Sequence, residues 1–228
     1  MKNNINLNYW LDIEDISEAK KKIIVGEEFN KNTVRDVDYI VKTLHIEKID
    51  NVLEFGCGIG RLIKPIASLC AGIVGVDVSD AMIHLAMNYC KKIPNIYLLP
   101  MPSETLINYK DNKIDKIYSL IVLQHIEKPK AFRILWELSR ILKIGGKMLI
   151  QYPNIDQNGY FVYMIQKGQF SSAGYLLEFY TERELRMIFD FLHLTILKVD
   201  YVGTDFYVLA EKTKPHIEFP TLAYSPKK

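Results

Sequence analysis

An α/β fold with a doubly wound, mostly parallel sheet is what this sequence predicts. Three observations carry that expectation. Short apolar β-type runs recur at residues 51–55, 71–77, 95–99, 114–122 and 147–152. They are largely continuous rather than alternating, as in strands covered on both faces. Segments with helical spacing lie between them, which makes the order β-α-β-α-β. Third, Gly56, Gly58 and Gly60 stand at alternate positions directly behind the first run.

The elements follow in order. Leu62, Ile66 and Leu69 share one helix face. Ser79-Asp80 is an N-cap pair that opens a helix through Ala81, Leu85 and Tyr89. Pro129 stands at the start of a helix over 131–142, and Gly145-Gly146 is expected to close it with a left-handed cap. Thr181-Glu182-Arg183-Glu184 is a capping box for a helix to about residue 192. Residues 193–200 and 206–211 read as strands joined by a turn at Gly203, an antiparallel hairpin at the end of the sheet.

Two regions stand outside the alternation. Residues 1–48 hold amphipathic helical stretches, with Val34, Val37, Ile40, Val41 and Leu44 on one stripe. Residues 153–180 are rich in Tyr, Phe, Gly, Gln and Ser, and too long for a plain strand-to-helix connection. The first is read as an extension or lid, the second as part of a substrate site.

The 228 residues suit a single domain. A net charge of +2 with no dense basic run argues against a nucleic-acid partner. Cys57, Cys70 and Cys90 form no CxxC pair and no disulfide framework. No His/Cys/Asp cluster has metal-ligand spacing, so no metal is expected. No signal-type N-terminus and no membrane-length apolar run is present. The expectation is a cytoplasmic protein without a membrane partner, monomer or homodimer.

The glycines follow a strand and open a helix, so they lie at the carboxyl edge of the sheet, where open α/β folds bind ligands. A bare backbone can turn tightly there and lie against a ligand. Asp77 ends the next strand, placed to accept the hydroxyl hydrogens of a ribose. Dinucleotide folds use G-x-G-x-x-G. Here the pattern is G-x-G-x-G, and Arg61 stands where that third glycine would be. This weighs against a nicotinamide-dependent oxidoreductase, which is kept as an alternative.

These residues resemble class I S-adenosylmethionine (SAM)-dependent methyltransferases. The first motif of that family is matched by Glu54-Phe55-Gly56-Cys57-Gly58-Ile59-Gly60. Its ribose acid is matched in Gly75-Val76-Asp77-Val78-Ser79, its fourth strand and loop in residues 117–126. Its L-K-P-G-G turn appears as Leu142-Lys143-Ile144-Gly145-Gly146, with Ile for Pro. The resemblance spans about residues 51–209 and implies a Rossmann-like seven-stranded sheet with helices on both faces.

The resemblance also implies roles. Glu54 would organise the glycine loop near the amino end of the methionine moiety. Gly56, Cys57 and Gly58 would pack against SAM. Asp77 would bind the ribose, Met82 would cover an adenine face, and Val78 and Leu120 would lie beside the cofactor. The loop of Pro102 and Ser103 would border the adenine ring, with Ser103 or Glu104 in place of the Asp many relatives carry.

Methyl transfer from a sulfonium needs alignment of the acceptor and exclusion of water. A hydroxyl or ammonium acceptor also needs a base. His125, behind the fourth strand, is the candidate, its alternative role being to shape the loop. Gln124, Tyr152 and Trp10 are candidate substrate contacts. The N/D-P-P-Y/F motif of base N-methylation is replaced by Ser119-Leu120-Ile121-Val122. The expected acceptor is a small organic or sugar-like molecule, methylated on O or N, with S-adenosylhomocysteine (SAH) as by-product. A methyltransferase-like binding subunit without catalysis is the other alternative.

Overall fold

The computed structural model describes residues 27–101, 109–168 and 176–218. Among them, seven strands form one sheet: β1 Asn51–Phe55, β2 Gly72–Asp77, β3 Ile96–Pro100, β4 Ile114–Ser119, β5 Leu142–Pro153, β6 Leu194–Val202 and β7 Asp205–Lys212. Their spatial order is β3-β2-β1-β4-β5-β7-β6. Strands β1 to β5 pair in parallel, and β7 lies antiparallel between β5 and β6. The chain winds outward from β1 on both sides, which opens a crevice at the carboxyl ends of β1 and β4. The expected doubly wound sheet with a C-terminal hairpin is therefore the observed one.

The helices are α1 Glu27–Leu44, α2 Ile63–Ile66, α3 Asp80–Tyr89, α4 Lys128–Ile141, α5 Asn158–Lys167 and α6 Glu182–Phe191. They cover both faces. Leu53, Phe55, Ile117, Leu135, Leu138 and Phe189 form a core under α4 and α6. Val52, Ile40, Leu44, Ile63, Ile83, Tyr118 and Leu149 form the other, under α1, α2 and α3. Adjacent residues of β1 thus enter opposite cores, which is why its apolar run is continuous. The same alternation turns Glu54 to the α1 side.

Side-chain caps open α3 and α6. Ser79 Oγ accepts the Met82 N–H at 3.3 Å, and Thr181 Oγ1 accepts the Glu184 N–H at 3.1 Å. The capping box is completed differently from expectation: Glu184 turns its carboxylate to Lys128, at 2.8 and 2.9 Å. A charged donor holds it more strongly than a backbone amide would.

Three expectations are corrected. Helix α4 ends at Ile141, and Leu142 already has extended backbone (φ −68°, ψ 133°) and pairs with Ile114. Gly145-Gly146 therefore do not cap the helix; they form an irregularity inside β5, with Gly145 at φ +79°. A side chain at Gly146 would meet Leu142 and the Lys143 carbonyl at 2.8 Å. Strand β4 stops at Ser119 instead of running to 122, because Ile121 takes φ +61° and swings the chain out of the ladder. Along α1, Ile40 and Leu44 are fully buried, but Val34 is 71% exposed and does not belong to the buried stripe.

The 153–180 segment leaves and returns at one point. Asn154 bridges Tyr180, the Ile155 N–H donates to the Tyr180 carbonyl, and the Tyr180 N–H donates to the Pro153 carbonyl, both at 3.1 Å. Helix α5 is its described body. No helix of the described residues is long and apolar enough to cross a membrane.

Candidate cofactor and acceptor site

The glycine loop is fastened to β2 by two hydrogen bonds. Gly56 and Cys57 both donate to the Val76 carbonyl, at 2.8 and 3.0 Å. All three glycines have positive φ, at +77°, +51° and +80°. Their surroundings differ. A Cβ at Gly56 would lie 2.2 Å from Val122, and one at Gly60 would lie 2.9 Å from the Cys90 thiol. At Gly58 a Cβ would meet nothing within 4 Å. Gly56 and Gly60 are bare so that the protein can close on them. Gly58 presents its backbone to open space.

The Gly58 N–H donates to Asp77 Oδ2 at 2.8 Å, and the Ser79 N–H donates to Asp77 Oδ1 at 2.9 Å. The carboxylate is thereby fixed at the end of β2. Burial raises its pKa, and the backbone donors partly oppose that rise. Met101, after β3, donates its N–H to the Asp77 carbonyl at 2.8 Å, so three strand ends meet here.

Glu54 lies deeper, 5% exposed. Its Oε2 accepts a hydrogen bond from Tyr118 Oη at 3.0 Å. Burial pushes its carboxyl pKa up to about 8; Asp77 adds to the rise, and Tyr118 and Arg61 oppose it. Arg61 is engaged elsewhere. Its guanidinium pairs with Asp36 of α1 at 2.9 Å and reaches Thr33 at 3.4 Å. Helix α1 is thus tied directly to the first turn after the glycine loop.

The Cys57 thiol points back toward Gly75, where a Cβ would come within 2.9 Å of it. Burial raises its pKa well above the ordinary thiol value. It is a packing group, and only its backbone can face a ligand. Met82 is buried against Ala81, Ile59 and Leu85, and Val78 is half-buried. Leu120 is half-buried at the end of β4. Pro102, Ser103 and Trp10 lie outside the described residues.

His125 closes a short 3₁₀ turn, Leu123–His125. Its Nδ1 lies 2.8 Å from the Leu176 carbonyl, an acceptor only, so Nδ1 carries the proton. Its Nε2 is the unprotonated nitrogen and accepts from the Gln124 amide nitrogen at 3.4 Å. Burial lowers the His125 pKa, and the Leu176 hydrogen bond partly offsets that. Tyr152 packs its ring against Tyr180, with centroids 4.7 Å apart. Among the described residues, Gln124 Oε1 and the hydroxyls of Tyr152 and Tyr180 are buried without a hydrogen-bond partner.

A second polar group went unread in the sequence. Gln151, 3% exposed, receives the Ile121 N–H on Oε1 and donates from Nε2 to Asp205 Oδ2 at 2.8 Å. Tyr160 Oη of α5 donates to Asp205 Oδ1 at 3.3 Å. This chain joins the end of β4 to the 153–180 segment. Only the register of β5 against β7 reveals it.

The donor set suits SAM. It offers an open glycine backbone, a carboxylate aimed beside it for a diol, and a second carboxyl for an ammonium. Residues 53–150 match a family model described as methyltransferase domain. The chain is 28% identical over 109 residues to a demethylmenaquinone methyltransferase of Tropheryma whipplei (strain Twist), covering 48% of this chain and 44% of that protein. It is 32% identical over 116 residues to a mitochondrial ubiquinone biosynthesis O-methyltransferase of Dictyostelium discoideum, covering 46% and 35%. The match thus spans less than half the length of either relative. Among solved structures, magnesium protoporphyrin IX methyltransferase of Synechocystis PCC 6803 with bound SAH superposes with a TM-score of 0.66 at 17% identity, covering 86% of this chain and 92% of that one. Residues 53–150 are thus similar to a methyltransferase domain, and the fold is the one seen in a methyltransferase solved with SAH.

Proposed function

We propose that the protein moves a methyl group from SAM to an oxygen or nitrogen atom of a small organic or sugar-like acceptor. The observation that carries this reading is the joint placement of Gly58, Asp77 and Glu54 at one strand-end crevice. SAM supplies an activated methyl on a sulfonium. Asp77 would hold the ribose diol, Gly58 would lie against the cofactor, and Glu54 would face the methionine ammonium. Val78, Met82 and Leu120 would supply apolar contact, with Gly56 and Cys57 holding the loop shape.

In this reading His125 takes the proton from the acceptor. Its neutral Nε2 is oriented by the Nδ1–H contact to Leu176. Gln124 would bound the acceptor space and brings an unused buried oxygen to it, while Tyr152, fully buried in the core under α4 and α6, would only support it from behind. The segment 153–180 would form one wall, and residues 1–48 would extend over the crevice from α1. The relatives named for quinone-precursor methylation favour a small acceptor over a macromolecule.

The test is incubation with methyl-labelled SAM and a panel of phenols, amines and sugars, reading labelled product and SAH by mass spectrometry. Transfer to a panel member supports the reading. Tight SAH binding with no transfer to any acceptor would favour the binding-subunit alternative.

A further inference from the structure

The sheet register defines a line of side chains across the carboxyl edge. Glu54 stands opposite Tyr118, Tyr118 opposite Leu149, and Leu149 opposite Leu209. Because side chains alternate along a strand, Gln151, Tyr207 and Asp205 share the face of Glu54. With the cofactor running from Asp77 on β2 to Glu54 on β1, this line continues past the methionine end over β5 and β7. The acceptor must approach from that side.

Asp205 is half-buried there, and both its oxygens are held by neutral donors, Gln151 and Tyr160. No Lys or Arg among the described residues forms an ion pair with it. Arg35, whose charge is felt at Tyr207, is committed to Asp36. The surroundings are aromatic. Tyr207 on the same face stacks edge-on against Tyr39 at 5.1 Å, and Tyr160 packs on Phe179 at 5.1 Å. A fixed carboxylate beside electron-rich rings, with no cation of its own, matches the chemistry that receives an organic ammonium.

Ile121 adds an independent mark. A β-branched residue at φ +61° is strained, yet this one is 56% exposed beside the same network and held by Gln151. Such strain persists where the surroundings enforce it and clusters at functional sites.

We propose that Asp205, flanked by Tyr160 and Tyr207, binds an ammonium group of the methyl acceptor. This rests on the reading that SAM occupies the crevice from Asp77 to Glu54. Burial raises the Asp205 pKa against the two donors, so a cation brought beside it gains by restoring its charge. Gln151 acts as a positioning residue, since it locks Asp205 and the Ile121 backbone together.

The test is calorimetric titration of SAH-saturated full-length protein with 2-phenylethylamine, 2-phenylethanol and phenylacetate. The amine should bind about tenfold or more tighter than the alcohol, and phenylacetate weakest. Its advantage should shrink with added salt while alcohol binding does not change. Asp205→Asn should bring amine and alcohol to similar affinity and leave SAH affinity unchanged. Tyr160→Phe keeps the carboxylate and the ring, so the amine should still bind more tightly than the alcohol. An amine no tighter than the alcohol, no binding by any of the three, or a preference that survives Asp205→Asn overturns the proposal. If Asp205→Asn gives no cooperative melt, the wild-type ranking and its salt dependence decide. Failure of SAH to bind sinks the cofactor reading instead, and the same probes on ligand-free protein then judge Asp205 alone.

Discussion

Tyr118 Oη donates a 3.0 Å hydrogen bond to Glu54 Oε2, with the tyrosine fully buried and the acid almost so. The partner of this carboxyl is therefore neutral. Its nearest guanidinium, Arg61, is held by Asp36. A buried carboxyl without a paired cation favours its protonated form, and burial carries Glu54 up to about 8. In SAM's absence the site holds a proton where its ligand would bring a positive charge.

That shift makes stability depend on pH with a definite sign. Between the ordinary carboxyl range and about pH 8 the folded state binds the Glu54 proton and the unfolded state has lost it. Folding stability contributed by this group therefore falls as pH rises through that window. Glu54→Gln removes the titration. Urea unfolding should show the variant gaining on wild type by a few kcal/mol, about 1.4 per unit of pKa shift, between pH 5 and pH 9. A difference that is flat with pH would contradict the assignment.

The glycines separate packing from ligand approach. Gly56→Ala drives a Cβ into Val122 in a left-handed backbone and should cost about 2–4 kcal/mol in stability. Gly58→Ala meets open space, so only its positive φ opposes it, at about 1 kcal/mol. It should nevertheless weaken SAH binding at least as much as Gly56→Ala does in whatever protein remains folded. Thermal melts and SAH titrations on both variants check this. Equal destabilisation by the two would deny that Gly58 faces open space, and unchanged SAH affinity in Gly58→Ala would deny that it borders the ligand.

What could be read from the sequence was what is local. The glycine loop, Asp77 at a strand end and the Ser79 cap each lie within a few residues of the signal that reveals them. Glu54–Tyr118 and Gln151–Asp205 could not be read, because each needs the pairing of strands far apart in the chain. Arg61 was visible as a departure from a dinucleotide loop, but its partner Asp36 sits on a helix that only tertiary packing brings near. Gly145-Gly146 misled for a related reason. A glycine pair behind a helix usually caps it, and here the pairing of Leu142 with Ile114 starts the strand first.

His125 gives a kinetic prediction. Its pKa lies below the usual histidine value, so the imidazole is neutral at pH 7. If it is the base, kcat/KM rises with pH along an acid limb whose midpoint lies below about 6.5, then levels off. His125→Asn should remove that limb and lower kcat by about 100-fold, with SAH affinity unchanged. A limb that persists in the variant would assign His125 to shaping the loop.

The central claim is that the crevice holding Gly58, Asp77 and Glu54 binds SAM, and titration of wild type and Asp77→Ala with SAM and SAH tests it most directly. Losing a charged acceptor for two ribose hydroxyls should cost roughly 3 kcal/mol, about a hundredfold in affinity. Micromolar binding by wild type that collapses in Asp77→Ala, with the melt retained, is the predicted result. Well-folded wild type that binds neither compound, or a variant that binds both as tightly, would contradict it.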